Sequence, residues 1–345
     1  MSRRLRIVLV TDALTPPARG NGTTVGRWME GLLERGHEVR VHDPRSAAQG
    51  NLARDADVVH AYHARRAGPA GAALARSAGR PFVVSLGGTD LLDLESNAPP
   101  DAHAEREALA AADVVTGAFA SFGPRLAKAL GPARAPRYEI VRRGVEVDPD
   151  AGGWPRRASR LEVLLPAGLR PVKDPLTALA MSRRLHEGGV PHRLRILGAE
   201  LDGVYAAHVR EAAHAMPWVE LGRRSPLGMA TAYLAAHVVW NTSVHEGGAN
   251  ALLEGLALGC RLWVRDAPGN RDAAELCEGA ITLFADVDDP RLLPWHQAAW
   301  TESDVERAAR HATTVELLRR IADPRDELDE LEAAYDAARS THTGA

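Results

Sequence analysis

Short apolar runs recur along this chain, each bounded by Gly, Pro or charged residues and separated by enough chain to hold a helix. In the first half the pattern predicts strands over 6–10, 37–42, 58–62, 82–86, 114–118 and 138–141, with Ala-rich helical stretches between them. A helix is expected over 24–34, where Gly36 is placed to terminate it. In the second half the same alternation gives strands over 161–165, 193–197, 219–221, 238–241, 261–264 and 281–284. Strand, helix, strand repeated at this spacing predicts a parallel, doubly wound α/β sheet, here twice over. The stretch from Pro149 to Pro155, rich in Gly and Pro, reads as the linker. The expected organisation is therefore residues 1–150, residues 151–322 and a helical tail over 323–345. Over about the last 40 residues one helical segment starts at Ser303-Asp304, Pro324 breaks the pattern and 327–339 forms another segment, with 341–345 frayed.

Ligands of doubly wound sheets bind outside the carboxyl ends of the strands. This puts 12–23 and 87–90 at the functional edge of the first half, and the loops opening at 168 and 243 at that of the second. The loop Ser243-Val244-His245-Glu246-Gly247-Gly248-Ala249-Asn250 runs from a strand into a helix that carries Glu254. Backbone N–H groups stand free at such a turn, and the helix dipole favours an anion. The helix is expected over 250–258, and because eight residues on a helix is a little over two turns, Glu254 is expected on roughly the same face as the turn. A ligand there would meet amides at its phosphates, Glu246 on one side and Glu254 on the other. A nucleotide sugar, with both phosphate and hydroxyls, fits. The plainer alternative is a tight Gly-Gly turn followed by an exposed helix carboxylate.

Three further places carry candidate chemistry. Gly168-Leu169-Arg170-Pro171-Val172-Lys173-Asp174 follows a strand, and its cations stand where a diphosphate would arrive. Arg170 can grip phosphate bidentately and Lys173 acts as a point charge; two ordinary surface cations are the alternative. Gly20-Asn21-Gly22 opens the first helix without forming a G-x-G-x-x-G fingerprint, which disfavours a dinucleotide cofactor. A glycine loop there allows close approach to a phosphate, or is simply a loop. Asp90, after Gly87-Gly88-Thr89, is either a helix cap or a substrate group. Arg265 to Asn270 is a strand-end loop that would lie near the donor sugar or is simply a Pro-Gly turn.

Composition narrows the classes. With 345 residues, 45% hydrophobic, 25% charged and a net charge of −3, the chain suits two globular domains and has no basic footprint for nucleic acid. No apolar run is long enough for a membrane span, and no signal peptide is read at the N-terminus. Two cysteines make neither a disulfide framework nor a metal set, which fits a cytoplasmic protein. The one D-x-D, Asp55-Ala56-Asp57, precedes a strand and so lies at the wrong edge for a metal–diphosphate site. No metal and no cofactor are expected.

The E-x7-E spacing of Glu246 and Glu254, with Ser243 before it and Leu-Glu-Gly-Leu-Ala-Leu-Gly closing it, resembles retaining GT-B glycosyltransferases of family 4. The resemblance implies a GT-B fold, two Rossmann-like domains facing a cleft, with the C-terminal helix crossing back to the first. It also implies that the first half serves the acceptor and the second a UDP- or GDP-linked sugar. It assigns Glu246 to the donor hexose, Glu254 to the ribose, and the amides of Gly247, Gly248, Ala249 and Asn250 to the phosphates. Lys173 and Arg170 would hold the leaving diphosphate, Asn21 and Gly22 would meet the donor phosphate, and the backbone near Arg223 would read the base. Gly88, Thr89 and Asp90 would lie on the acceptor side; Gly87 stands where the family often has His, and His60 and His63 are either substitutes for it or, the preferred reading, structural residues. Within the family, Leu-Arg-Pro-Val-Lys-Asp-Pro, Leu-Gly-Ala-Glu-Leu-Asp, Glu-Gly-Gly-Ala-Asn and Ala-Pro-Gly-Asn look most like the selenosugar synthases of selenoneine biosynthesis. That branch implies a sulfur or selenium acceptor. An O-glycosyltransferase on a small alcohol, a non-hydrolysing nucleotide-sugar epimerase and a non-catalytic nucleotide-binding module remain as rival expectations, and the sequence leaves the oligomeric state open.

Overall fold

A computed structural model describes residues 4–12, 14, 20–46, 52–96, 102–148, 150, 159–248 and 250–343. The chain divides into two compact units, Met1–Arg143 with Pro324–Ala345, and Gly144–Asp323. The change of unit thus falls seven residues ahead of the expected 150/151 boundary. Most of the Gly/Pro-rich stretch read as the linker lies outside the described residues.

The first unit runs β1 (Arg6–Val10), α1 (Gly20–Glu34), β2 (Glu38–His42), β3 (Val58–Tyr62), α2 (Ala64–Ala78), β4 (Phe82–Ser85), α3 (Thr89–Ser96), α4 (Ala102–Ala110), β5 (Val114–Gly117), α5 (Phe122–Leu130) and β6 (Arg137–Ile140). Its six strands are all parallel, in the order β2-β1-β3-β4-β5-β6. Central strands are buried on both faces, hence their unbroken Val-rich runs: every residue of β3, β4 and β5 is buried. The first helix begins four residues earlier than the pattern predicts. Gly20, Asn21 and Gly22 form its opening turn rather than a loop ahead of it, because residues that weaken a helix interior are tolerated at its start.

The second unit runs β7 (Leu161–Leu165), α6 (Pro175–Glu187), β8 (His192–Leu197), α7 (Gly203–His214), β9 (Val219–Gly222), α8 (Pro226–Ala235), β10 (Val238–Asn241), α9 (Asn250–Ala257), β11 (Arg261–Arg265), α10 (Asn270–Leu276), β12 (Ile281–Phe284), α11 (Leu292–Thr301) and α12 (Asp304–Ile321). Its parallel strands are ordered β12-β11-β10-β7-β8-β9. The chain winds outward from β7 to one side, then returns to β10 on the other. The strand order thus reverses between β7 and β10, and ligands of doubly wound sheets bind in the crevice outside the carboxyl ends of the strands at such a point.

The last helix, α13 (Pro324–Thr343), belongs to the first unit. Pro324 is its first residue, a position where a missing N–H costs nothing, so the helix extends beyond the expected 327–339 at both ends. Leu328, Leu331, Ala334, Tyr335 and Ala338 join the core formed by Ile7, Leu9, Trp28, Val58 and Val83. Gly31 of α1 leaves room for this: a Cβ there would stand 2.4 Å from Leu328 Cδ1. Glu327 is 1% exposed yet fully engaged, accepting from Arg27 at 2.7 and 3.0 Å and from Trp28 Nε1 at 2.8 Å. Tyr335 Oη pairs with His60 Nδ1 at 2.8 Å, and His60 Nε2 with Ser85 Oγ at 2.7 Å. Burial, with Arg143 nearby, pushes the His60 pKa down to about 3. His60 is thus a neutral core residue, not a substitute acceptor base.

Candidate functional site

The crevice between β7 and β10 gathers the second unit's candidate residues. The turn after β7 contains a one-turn 3₁₀ segment, Pro171–Lys173, and the loop after β10 contains Asn241 to Gly248. The two are stitched together by backbone: Val244 N donates to the Val172 carbonyl at 3.0 Å, and Thr242 Oγ1 to the Lys173 carbonyl at 2.8 Å. Lys173 Nζ then meets Glu246 Oε1 at 2.5 Å. Two residues 73 apart in sequence become one ion pair.

Glu246 is unevenly loaded. Ser243 Oγ also donates to Oε1, at 2.6 Å, and so does Asn241 Nδ2, at 3.2 Å. Every hydrogen bond that this carboxylate takes from the described residues falls on Oε1, which leaves Oε2 to accept from anything else. The side chain is only 8% exposed, and burial alone would raise its pKa. The Lys173 ammonium and the hydrogen bonds from Lys173, Ser243 and Asn241 outweigh burial and hold it below the ordinary carboxyl value. An ionised, anchored carboxylate with one open oxygen can accept a further hydrogen bond there.

Helix α9 starts at Asn250, where the pattern predicts it; Glu246 precedes it, so the eight-residue spacing is not helical throughout and does not by itself fix the face of Glu254. Glu254 Oε2 accepts from Tyr233 Oη of α8 at 2.7 Å. Burial first, and the neighbouring Glu254 second, push the Tyr233 phenol well above its usual pKa, so it stays a donor. Between the carboxylates lie Gly247 and Gly248, the latter at φ 121°, a conformation a side chain would resist. Ala249 lies outside the described residues.

The loop after β11 is the floor of the site rather than an incidental turn. Glu246 N donates to the Pro268 carbonyl at 3.2 Å, and Gly269 packs against the Glu246 backbone. A Cβ on Gly269 would stand 1.9 Å from the Glu246 carbonyl oxygen, at φ 79°. Both partners are backbone and neither can swing aside. The Gly269→Ala variant is therefore expected to lose about 2–4 kcal/mol, with contributions from the unfavourable φ and from overpacking. Chemical denaturation checks this; a loss below about 0.5 kcal/mol, the range of an ordinary surface change, would contradict it.

Other expected residues fall as follows. Arg170 stands three residues before Lys173 with extended backbone (φ −159°), its carbonyl accepting from Lys173 N at 3.1 Å. Arg223 is exposed beyond β9. Asn21 and Gly22 belong to the first turn of α1, in the other unit.

In the first unit, Thr89 opens α3 and Asp90 follows it. Asp90 is completely buried and accepts from four backbone amides, Gly87, Gly88, Ala64 and Leu91, at 2.7–3.2 Å. Asp90 is the second residue of α3 rather than its cap, and its oxygens tie the start of α2 to the Gly87-Gly88 turn. Burial raises the Asp90 pKa, but His63 and these amides overcome that and leave it lowered. His63, at φ 81°, has Nε2 3.1 Å from Thr89 Oγ1 and Nδ1 3.5 Å from Asp90 Oδ2. Asp57 takes the Arg6 amide at 2.8 Å and Asp55 pairs with Arg40 at 2.7 Å, so the D-x-D is spent on structure.

Sequence reasoning missed Asn241, Tyr233 and the direct bond from Ser243: Tyr233 is 21 residues from Glu254, and Asn241 and Ser243, though only five and three residues from Glu246, reach it only through the path the loop takes. Among the described residues no group of three or more His, Cys, Asp or Glu side chains is placed to hold a metal ion, and no helix is long and apolar enough to cross a membrane.

No family model matches the chain. It is 32% identical over 108 residues to Glycosyltransferase 1 domain-containing protein 1 of Xenopus tropicalis, spanning 31% of each chain and so about a third of that relative's length. Among solved structures, HepE of Anabaena in complex with UDP and glucose superposes with a TM-score of 0.72 at 17% identity, over 96% of this chain and 99% of that one. The sucrose-phosphate synthase of Thermosynechococcus elongatus gives 0.74 at 14%, over 96% and 98%. The α,α-trehalose 6-phosphate synthase of Burkholderia multivorans gives 0.72 at 14%, over 98% and 99%. At such identities the likeness is one of fold: this chain has the α/β fold expected of it, the GT-B class.

Proposed function

We propose that this protein is a retaining glycosyltransferase that takes a sugar from a nucleotide-diphosphate donor, bound at the β7/β10 crevice, without a metal. The observation that carries the reading is the Lys173–Glu246 pair: a cation for the diphosphate beside a carboxylate with one oxygen reserved for hydroxyls. Gly247 and Gly248 supply amides ahead of α9, where an anion is favoured. As the sugar–phosphate bond breaks, negative charge grows on the leaving diphosphate. Lys173, Arg170 and those amides stabilise it, and the acceptor attacks the same face of the sugar. Glu254, oriented by Tyr233, takes the ribose hydroxyls. The relatives solved with UDP or named as glycosyltransferases add weight on the side of fold.

For the acceptor we favour a sulfur or selenium nucleophile such as selenophosphate, a thiol or a thione. A nucleophile already anionic needs no strong base, and Gly87 stands where a base was expected, with His60 locked neutral in the core.

A thermal-shift panel of UDP-, GDP- and TDP-sugars tests the donor site. A donor at 100 times its dissociation constant stabilises by about 2.7 kcal/mol, or about 5–10 °C in Tm for a unit of this size. No shift with any nucleotide sugar would refute the reading. With the best donor, selenophosphate, thiol, thione and alcohol acceptors are then compared in the presence of EDTA. Product from the alcohol alone would replace the sulfur or selenium assignment. Epimerised donor without acceptor would make the protein an epimerase, and binding without turnover a nucleotide-binding module.

A further inference from the structure

We propose that Asp174, braced by Arg265 and Tyr205, is a positioning residue that presets Lys173 to meet the donor's diphosphate; the inference rests on the donor site proposed above. Asp174 directly follows Lys173 and lies in the left-handed region, at φ 42° and ψ 54°. It also precedes Pro175, which narrows its backbone further. Asp174 caps α6, accepting from Thr177 N at 3.4 Å and Thr177 Oγ1 at 2.7 Å. Capping alone does not call for this backbone. In the same unit Asp202 caps α7 from φ −137° and Ser225 caps α8 from φ −67°, both extended. An L-residue in the left-handed well is disfavoured, less so for Asp, so something else holds it there.

The brace comes from two distant elements. Arg265, the last residue of β11, places Nη1 2.8 Å from Asp174 Oδ2 and donates from Nη2 to Thr177 Oγ1 at 2.8 Å. Tyr205 of α7 donates to Asp174 Oδ1 at 3.3 Å. Burial, then Asp174 itself, push the Tyr205 phenol up to about 12, so it remains a donor. On the other side of Lys173, its own carbonyl and that of Val172 are held by Thr242 and Val244. The backbone of Lys173 is clamped fore and aft, which limits where its ammonium can go.

Arg265 does a second thing. Asp174 puts a negative charge one residue from the cation that must receive an anion, and Arg265 neutralises it. The pair is partly exposed, 18% and 22%, so its worth to stability is small and its main effect should appear in anion binding.

The test is calorimetric titration of the full chain with UDP and with uridine, which lacks phosphate. Arg265→Gln is expected to weaken UDP by about tenfold or more while leaving uridine within about twofold, at nearly unchanged Tm. Asp174→Asn keeps a side-chain oxygen for the cap but loses both the brace and the negative charge, so its UDP-to-uridine ratio should fall less than that of Arg265→Gln, and Arg265→Lys should recover part of the loss. Equal loss for both ligands means that the brace only supports the fold, and an unchanged ratio removes the proposal outright. If the wild type itself binds UDP no better than uridine, the donor site falls and this inference with it. A discriminating wild type beside an equally discriminating Arg265→Gln sinks the inference alone.

Discussion

Sugar transfer by Lys173→Ala and by Glu246→Gln is expected to fall by about 10²–10³-fold, the size of effect seen when one pre-aimed group is removed from the site of developing charge. The two variants differ in what they do to the fold. Lys173→Ala leaves a buried carboxylate with only Ser243 and Asn241 as donors, so it should also cost about 1–3 kcal/mol of stability. Glu246→Gln keeps a side-chain oxygen for all three partners and replaces only the open one with an amide nitrogen, which cannot accept. Its stability should stay within about 1 kcal/mol at neutral pH. The acid limb of the stability curve should differ as well. Because folding depresses the Glu246 pKa, its contribution is present above the ordinary carboxyl value and drains away as pH falls through the folded one. Glu246→Gln removes that part and flattens the limb. Full activity in both variants would dismantle the site.

Ending the chain at Asp323 is expected to prevent the first unit from folding. The truncation strips Leu331, Tyr335 and Ala338, each 0% exposed, from the core and bares the face of Trp28 and Leu9. Losing a single buried Leu costs about 2–5 kcal/mol, and whole domains are stable by only about 5–15, so the loss exceeds the reserve. Glu327→Ala isolates the electrostatic share. It leaves Arg27 without its partner and Arg143, 5% exposed and 4.0 Å from Glu327, without its nearest counter-charge. Breaking a buried pair costs about 3–5 kcal/mol, somewhat less here because Arg27 is 20% exposed and partly solvated. That corresponds to about 6–12 °C in Tm, read by calorimetry or circular dichroism. A truncated chain with native near-ultraviolet dichroism would contradict the account.

Much of this was legible in the sequence, and the reason is local. The central strands reveal themselves because strands buried on both faces must be apolar, as Val58-Val59 and Val238-Val239 are, whereas the partly exposed edge strands β2, β6 and β9 show only by their place in the alternation. Lys173 and the Glu246 loop were legible because a doubly wound sheet delivers strand ends to one edge. Geometry across distance was not. Nothing near Glu254 announces that Tyr233, 21 residues earlier, will hold it. Nothing about Asp174 announces a left-handed backbone, since Asp before Pro ordinarily reads as an extended helix cap. The face of α13 was hidden for a related reason: Glu327 looks like a solvated charge until Arg27, Trp28 and Arg143 surround it.

The helix start at Asn250 was legible, but a spacing of eight counted in helix turns says little when four of those residues, Glu246 to Ala249, precede the helix. The two carboxylates therefore take their orientation from different neighbours, Lys173 with Ser243 and Asn241 in one case, Tyr233 in the other.

The measurement that bears most directly on the donor site is calorimetric titration of wild type and Lys173→Ala with UDP-glucose. The account predicts a wild-type dissociation constant in the micromolar range, about −8 kcal/mol, and at least a tenfold weaker one for the variant. Indistinguishable affinities, or no heat from the wild type, would contradict it.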